Sequence, residues 1–157
     1  VWEERDRGLY EEEVYLKQFQ ELDPQDAEDI EKVIKGSGQT IRKRPYADTW
    51  VKYLKSKGYH VYILSNYSSY MLDHAKKELT FRREMDGEVF SCYANQLKPD
   101  AEIYQTILNK YQLKPEECVF IDDRPENCRG AQEQGIHTIC FKDFKQVTAD
   151  LEKLGVK

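Results

Sequence analysis

Short apolar runs alternate along the chain with longer stretches in which apolar residues recur every three or four positions. The short runs are typical of strands buried on both faces of a sheet, and the longer stretches are typical of helices with one buried face. Their alternation predicts an α/β fold, a parallel sheet with helices on both faces. The predicted strands are residues 60–64, 89–93, 118–121 and 137–141, and the predicted helices are residues 9–20, 24–36, 45–58, 68–79, 101–111, 126–134 and 144–154.

The strand that ends at Ile121 leads directly into two adjacent carboxylates, Asp122 and Asp123. In an open α/β sheet, ligands bind beyond the carboxyl ends of the strands. Two acids at that position repel each other unless a cation lies with them, and Mg²⁺ prefers oxygen ligands of this kind. The pair therefore indicates a metal site, although a solvated acidic turn or a helix N-terminus would leave the same pattern.

Further polar residues lie at the same predicted edge of the sheet. The strand over 60–64 leads into Ser65 and Asn66, and Lys98 precedes Pro99 where the next helix begins. Taken singly, a Ser after a strand is most often a helix cap, and a Lys before Pro is most often an exposed charge. In this order, and with the acid pair, they provide a hydroxyl donor, a cation and a metal site, which together suit a phosphate. We expect Ser65, Lys98 and the acid pair to converge, with Lys98 at an exposed edge that contributes little to packing.

On these residues the chain resembles the haloacid dehalogenase superfamily of phosphohydrolases, over about residues 45–142. Ser65 matches the second motif of that family, Lys98 the third, and the Asp122–Asp123 pair the fourth. Together with Asn127, the fourth motif is most similar to the branch that includes sugar-phosphate phosphatases and the amino-terminal phosphatase domain of soluble epoxide hydrolases.

The resemblance implies an architecture and a function. A Rossmann-like core with a small helical cap is expected, and we assign residues 1–42 to a partial cap and residues 43–157 to the core. The implied activity is Mg²⁺-dependent hydrolysis of small phosphorylated metabolites, such as sugar phosphates. In the family mechanism an Asp carboxylate attacks phosphorus, and water then hydrolyses the aspartyl-phosphate.

The resemblance also implies a role for each matching residue. Asp123 would bind Mg²⁺ directly, whereas Asp122 would act mainly through a metal-bound water. Lys98 would contact the nucleophile and a phosphate oxygen. Ser65 would donate its hydroxyl to the phosphate, and Asn66 would donate its backbone N–H.

The first motif of the family, Asp-x-Asp after an apolar strand, is not found in the sequence, although it supplies the nucleophile. The chain begins Val1–Arg7, and no apolar strand precedes Asp6. We expect a fragment that lacks its first strand, or else a degenerate homologue without catalysis. In the superfamily that strand lies between the strands ending at Ser65 and Asp122. The fragment hypothesis therefore predicts a gap in the sheet or a rearranged pairing, an inactive chain and low stability.

Composition narrows the class of function. The 157 residues include 24 Lys and Arg and 29 Asp and Glu, and the net charge of −5 disfavours a nucleic-acid binder. There is no apolar run of ~18 residues and no signal-peptide pattern, so no membrane association is expected. The four cysteines form no C-x-x-C pair and have no zinc-ligand spacing with the three histidines. Free buried thiols in a reducing cytoplasm are the simplest interpretation.

Two other functions stay open at this point. A 2-haloacid dehalogenase-like hydrolase is disfavoured, because dehalogenation needs no metal and would leave the acid pair without a purpose. A non-catalytic module that binds phosphate or a partner is the alternative outside enzymes. Neither the substrate nor the oligomeric state follows from the sequence.

Overall fold

The computed structural model describes residues 1–156, and its strands and helices alternate as predicted for an α/β fold. The strands are β1 Tyr62–Ser65, β2 Gly87–Phe90, β3 Val119–Asp122 and β4 His137–Cys140. The α-helices are α1 Trp2–Arg7, α2 Glu12–Leu22, α3 Ala27–Gly36, α4 Ala47–Ser56, α5 Ser69–His74, α6 Ser91–Ala94, α7 Ala101–Tyr111, α8 Pro125–Glu133 and α9 Phe144–Lys153. Short 3₁₀ turns cover Pro24–Asp26, Ser37–Gln39, Thr80–Glu84 and Pro115–Glu117.

The four strands form two separate parallel pairs. β1 pairs with β2, which aligns Ser65 with Phe90, and β3 pairs with β4, which aligns Asp122 with Cys140. Within residues 1–156 no strand joins β1 to β3. The sheet is therefore split between the strand that ends at Ser65 and the strand that ends at Asp122. Of the two outcomes expected for a missing central strand, a gap is observed and a rearranged pairing is not.

Apolar side chains pack on both faces of the β3–β4 pair. Because successive strand residues point to opposite faces, Ile139 contacts the α9 residues Val147 and Leu151, whereas Thr138 and Cys140 point toward α8. Gln132 of α8 confirms this direction, since its Nε2 donates a hydrogen bond to Thr138 Oγ1 at 2.7 Å. The core on the α7 and α8 side consists of Val89, Ile103, Tyr104, Ile107, Ala131 and Ile136.

Some predicted elements have the wrong extent. The strand predicted over 89–93 ends at Phe90, because the Ser91 hydroxyl accepts the N–H of Tyr67 at 2.8 Å and donates to the carbonyl of Asp6 at 2.5 Å. These bonds hold Ser91 in a turn that begins α6. The helix predicted over 68–79 ends at His74. Helix α1, in contrast, is present in the structure but was not predicted from the sequence.

Polar contacts join the first three helices to one another and join α1 to the residue that follows α6. Buried Arg5 of α1 donates to Glu12 of α2 at 2.6 Å and to Ser37, after α3, at 3.2 Å. Asn95 Nδ2 donates to the carbonyls of Arg7 and Gly8 at 3.1 and 3.2 Å. The division into a cap over 1–42 and a core over 43–157 stays a prediction. No helix among residues 1–156 is both long enough and apolar enough to cross a membrane.

Candidate active site

The split in the sheet opens a cavity of about 430 Å³ between β1 and β3. Ser65 lies at its edge where β1 ends, and Asp122 and Asp123 lie where β3 ends. Lys98 reaches the same cavity from the segment before α7. The structure thus brings together the four side chains that were expected to converge. The remaining lining residues are Tyr62, Ile63, Leu64, Ile121 and Phe141.

Lys98 is buried in this cavity rather than exposed. Its Nζ donates to Asp122 Oδ2 at 2.6 Å and to the carbonyl oxygen of Leu64 at 3.0 Å. The side chains of Lys98 and Asp122 are only 6% and 8% exposed. The expectation of an exposed Lys98 is therefore wrong, because the ammonium joins the end of β3 to β1 and is enclosed by both.

The two adjacent carboxylates have different surroundings. The second oxygen of Asp122, Oδ1, accepts the backbone N–H of Arg124 at 2.9 Å and the amide of Asn127 at 3.0 Å, so both oxygens of Asp122 are engaged. Asp123 is exposed, and no residue among 1–156 donates a hydrogen bond to its carboxylate. Asp123 is therefore the carboxylate with lone pairs available to a cation.

Asn66 connects the segment after β1 to Lys98. Its Nδ2 donates to the carbonyl oxygen of Lys98, and its Oδ1 accepts the N–H of Lys98, both at 2.9 Å. The peptide bond between Lys98 and Pro99 is cis. Gly130 of α8 packs so closely that a Cβ at this position would lie 2.5 Å from the carbonyl oxygen of Pro99. The Asn66 side chain and Gly130 thus position Lys98, and sequence reasoning missed both contributions.

Asn127 supports the acid pair from the first turn of α8. It is 3% exposed, and Tyr104 donates its hydroxyl hydrogen bond to the Asn127 carbonyl at 2.7 Å. Its side-chain oxygen Oδ1 is buried without a hydrogen-bond partner among the described residues. A buried amide oxygen of this kind can accept a hydrogen bond from a water or bind a cation. The sequence signal for Asn127 was its place in the resemblance to the fourth motif of the family.

The oxygen ligands at this edge of the sheet are of the type that a hard cation prefers, but they are too few to hold the ion alone. The free oxygens of Asp123 and the unpaired Oδ1 of Asn127 are hard ligands. However, residues 1–156 contain no group of three or more His, Cys, Asp or Glu side chains placed to hold a metal ion. Mg²⁺ commonly keeps several waters and takes one or two carboxylates together with substrate phosphate. A magnesium site here therefore requires further oxygens from water, phosphate or another carboxylate.

Two of the four cysteines lie beneath the acid pair. Cys128 Sγ is 3.5 Å from the carbonyl oxygen of Asp122, and Cys140 Sγ is 3.9 Å from that of Asp123. Burial raises the pKa of the Cys128 thiol to about 11, so this thiol stays protonated at neutral pH. Of the four cysteines, Cys92 and Cys128 are buried, whereas Cys118 and Cys140 are only half-buried, so the expectation of buried thiols is wrong for these two.

Comparison with known proteins identifies a family whose model matches most of the chain. The model of the haloacid dehalogenase-like hydrolases matches residues 2–135. Flavin mononucleotide hydrolase 1 of Arabidopsis thaliana, a chloroplast protein, is 28% identical over 160 residues, which cover 99% of this chain and 62% of that protein. Bifunctional epoxide hydrolase 2 of Rattus norvegicus is 30% identical over 107 residues, which cover 64% of this chain and 19% of that protein. The chain thus spans less than two thirds of the length of these relatives.

A solved structure shares the fold. It is an aspartate-to-alanine mutant of a haloacid dehalogenase family enzyme from Bacteroides thetaiotaomicron, in complex with magnesium and inorganic phosphate. The match covers 94% of this chain and 77% of that one, with a TM-score of 0.77 and 22% sequence identity. At this level of identity the likeness establishes the α/β architecture.

Proposed function

Since the chain belongs to the haloacid dehalogenase-like hydrolases, we propose that the protein is a magnesium-dependent phosphatase of small phosphorylated metabolites. The observation that carries this proposal is the convergence of Ser65, Lys98 and Asp123 on one cavity at the ends of parallel strands. A hydroxyl donor, an ammonium and a free carboxylate are the groups that a phosphate dianion and its cation need. The similarity to a flavin mononucleotide hydrolase and the magnesium and phosphate in the related crystal structure support the same chemistry.

The ammonium of Lys98 has one N–H left for the reaction. A protonated lysine carries three donors, and Leu64 and Asp122 accept two hydrogen bonds from it. The third N–H is available to a phosphate oxygen or to an attacking carboxylate in the cavity. Because Asp122 and Leu64 hold the ammonium in place, its charge is already positioned when negative charge develops at the phosphoryl group.

Ser65 and Asp123 complete the phosphate-binding groups. The Ser65 hydroxyl makes no hydrogen bond to residues 1–156 and lines the cavity, so it is free to donate to a phosphate oxygen. Asp123 would hold Mg²⁺, and Asn127, whose amide donates to Asp122 Oδ1, would support the acid pair. When bound, the ion neutralises charge on the phosphate and on the attacking carboxylate. Asp122, whose oxygens are engaged, would orient Lys98 and contact the ion through water.

We infer the source of the nucleophile from the split sheet. The backbone edges of β1 and β3 that face the cavity have no strand partner within residues 1–156, and unpaired strand edges are completed by an extended segment. A strand inserted there would end beside Ser65, Lys98 and Asp122. We propose that such a segment, outside the 157 residues, provides the attacking Asp carboxylate.

The experiment that tests this function uses the full-length protein. Release of inorganic phosphate is measured with p-nitrophenyl phosphate, sugar phosphates and flavin mononucleotide, with Mg²⁺ or with a chelator. We expect hydrolysis that requires Mg²⁺ and differs among substrates. Release of halide from 2-haloacids with no phosphate release would contradict the proposal and favour the dehalogenase alternative. Binding of phosphate without turnover of any substrate would favour the alternative of a non-catalytic binding module.

A further inference from the structure

The side chains of Cys128 and Cys140 face each other beneath the acid pair. Cys140 points toward α8, as does Thr138 two residues earlier, and Cys128 lies on α8. Cys128 Sγ lies 3.8 Å from the carbonyl oxygen of Ile139, the residue that precedes Cys140, and 3.5 Å from that of Asp122, the residue aligned with Cys140 in the β3–β4 pair. Two neighbouring thiols, one buried and one half-buried, are the starting arrangement for a disulfide.

We propose that Cys128 and Cys140 form a reversible disulfide when the protein meets a peroxide, which makes them a redox modification site against the backbone of the Asp122–Asp123 segment. Half-buried Cys140 is the thiol that an oxidant in solvent reaches first. Its sulfur attacks one peroxide oxygen, the O–O bond breaks, and a sulfenic acid and water form. The Cys128 sulfur then attacks the Cys140 sulfur, the S–OH bond breaks, and the departing hydroxide takes the Cys128 proton as a second water. Two thiols are oxidised, and both oxygens of one hydrogen peroxide are reduced.

The disulfide would change the segment that carries the acid pair. As thiols, Cys128 and Cys140 lie against the carbonyl oxygens of Asp122 and Asp123, respectively. Bond formation removes both S–H donors and draws the start of α8 and the end of β4 together on one side of β3. The carboxylates that follow β3 then move relative to Ser65 and Lys98. The expected loss of activity rests on the proposed phosphatase function. The formation of the disulfide is independent of that function.

The other two cysteines provide matched controls. Cys92 is buried against Leu72 and Phe90 in a separate cluster. Cys118 lies before the start of β3, at the opposite end from the acid pair, and its Sγ donates to the Lys114 carbonyl oxygen at 3.2 Å. The structure brings neither of them to the Asp122–Asp123 segment.

The first test maps the disulfide. Reduced full-length protein is treated with hydrogen peroxide, alkylated, digested without reductant and analysed by mass spectrometry. We expect one cross-linked peptide pair joining Cys128 to Cys140, lighter by two hydrogen atoms and separated again by dithiothreitol. The pair should persist in Cys92→Ser and Cys118→Ser and be lost in Cys140→Ser. Oxidation of Cys140 to a sulfinic acid while Cys128 stays a free thiol would overturn the proposal, as would cross-links that involve Cys92 or Cys118.

The second test measures the effect on the cavity. Phosphatase activity of the wild type should fall on the order of 100-fold on oxidation, a loss that displacement of catalytic groups by about 1 Å can produce, and return after reduction. The Cys140→Ser variant should be as active in peroxide as it is without peroxide. If Cys140→Ser does not fold, Cys128→Ala takes its place with the same expectation. A mapped disulfide with unchanged activity would overturn the effect on the site. If the reduced protein hydrolyses no phosphate ester, the proposed function fails, and the mapping still decides the disulfide.

Discussion

The Lys98 ammonium and the Asp122 carboxylate form a buried ion pair, with Nζ and Oδ2 2.6 Å apart. Lys98 also donates to the carbonyl oxygen of Leu64 in β1, so one ammonium connects the two halves of a sheet that share no backbone hydrogen bond. The pair therefore contributes to the structure as well as to the charge of the cavity.

The losses of stability caused by removing each partner of this ion pair should not be additive. Lys98→Met is expected to lower the free energy of unfolding by about 3–5 kcal/mol, because it leaves the Asp122 carboxylate buried without compensation. The double variant Lys98→Met/Asp122→Asn should lose less than the sum of the single losses. Urea unfolding of the wild type, both single variants and the double variant measures this coupling. Strictly additive losses would show that the two side chains act independently.

Asp123→Asn should impair cation binding without affecting the fold. The substitution removes the charge of the carboxylate that is free to bind a cation, and we expect Mg²⁺ affinity to fall by roughly 10–100-fold or more, the range seen even for residues that only support metal ligands. Calorimetric titration with Mg²⁺ in the presence of phosphate measures the affinity, and thermal unfolding checks the fold. Glu133→Gln, on the exposed surface at the end of α8, is the matched control. Equal Mg²⁺ affinity in the two variants would exclude Asp123 as a ligand.

Gly130→Ala should displace the segment that carries Lys98. The added Cβ would lie 2.5 Å from the Pro99 carbonyl oxygen, and relief of such overpacking typically costs about 1–3 kcal/mol. Both stability and activity should decrease, because Pro99 is bonded directly to Lys98. Gly36→Ala is the control, since a Cβ there meets no atom within 4 Å and alanine is favoured over glycine in a helix by about 0.5–1 kcal/mol. A Gly130→Ala variant as stable and active as Gly36→Ala would show that this contact relaxes without effect.

Asp86 should stabilise the fold at neutral pH and lose this effect in acid. The Lys55 ammonium at 2.7 Å, together with the N–H of Val61 at 2.8 Å, holds the pKa of the Asp86 carboxyl below its usual 3.8. A carboxyl with a lowered folded-state pKa contributes its full stabilisation above pH 3.8 and loses it as the pH falls through the folded-state value. Asp86→Asn should therefore cost up to about 1 kcal/mol at neutral pH and progressively less below pH 3.8. Unfolding free energies of both proteins from about pH 7 to about pH 2.5 give the difference, and a difference that widens in acid would contradict this assignment.

Residues 1–157 produced alone should unfold at low denaturant and hydrolyse no p-nitrophenyl phosphate. The open edges of β1 and β3 leave backbone groups without strand partners, and each such group, when buried, costs about 1–3 kcal/mol. Denaturation and turnover assays on this chain test both expectations. Mg²⁺-dependent turnover by a cooperatively folded chain would show that a side chain within these residues acts as the nucleophile.

The sequence predicted the helices, the strands and the polar residues of the cavity better than it predicted the burial and the hydrogen-bond partners of those residues. Hydrophobic periodicity reports which face of an element is buried, and this is why the β3 strand and helix α7 appear where they were expected. The burial of Lys98 depends on Leu64 and Asp122, which lie 34 and 24 positions away, so no local pattern carries it. Likewise Ser91 leaves the strand because it bonds Asp6, 85 positions earlier, whereas its neighbours favour a longer strand.

The open edges on either side of the cavity bear on how the protein behaves at high concentration. An unpaired strand edge is a template for any extended chain, including a segment from a second molecule. Without a strand between β1 and β3, self-association should increase with protein concentration and decrease when a complementary segment is supplied. In our proposal the segment that brings the nucleophile also covers both edges. Protection from aggregation and the start of catalysis would then be gained in a single docking event.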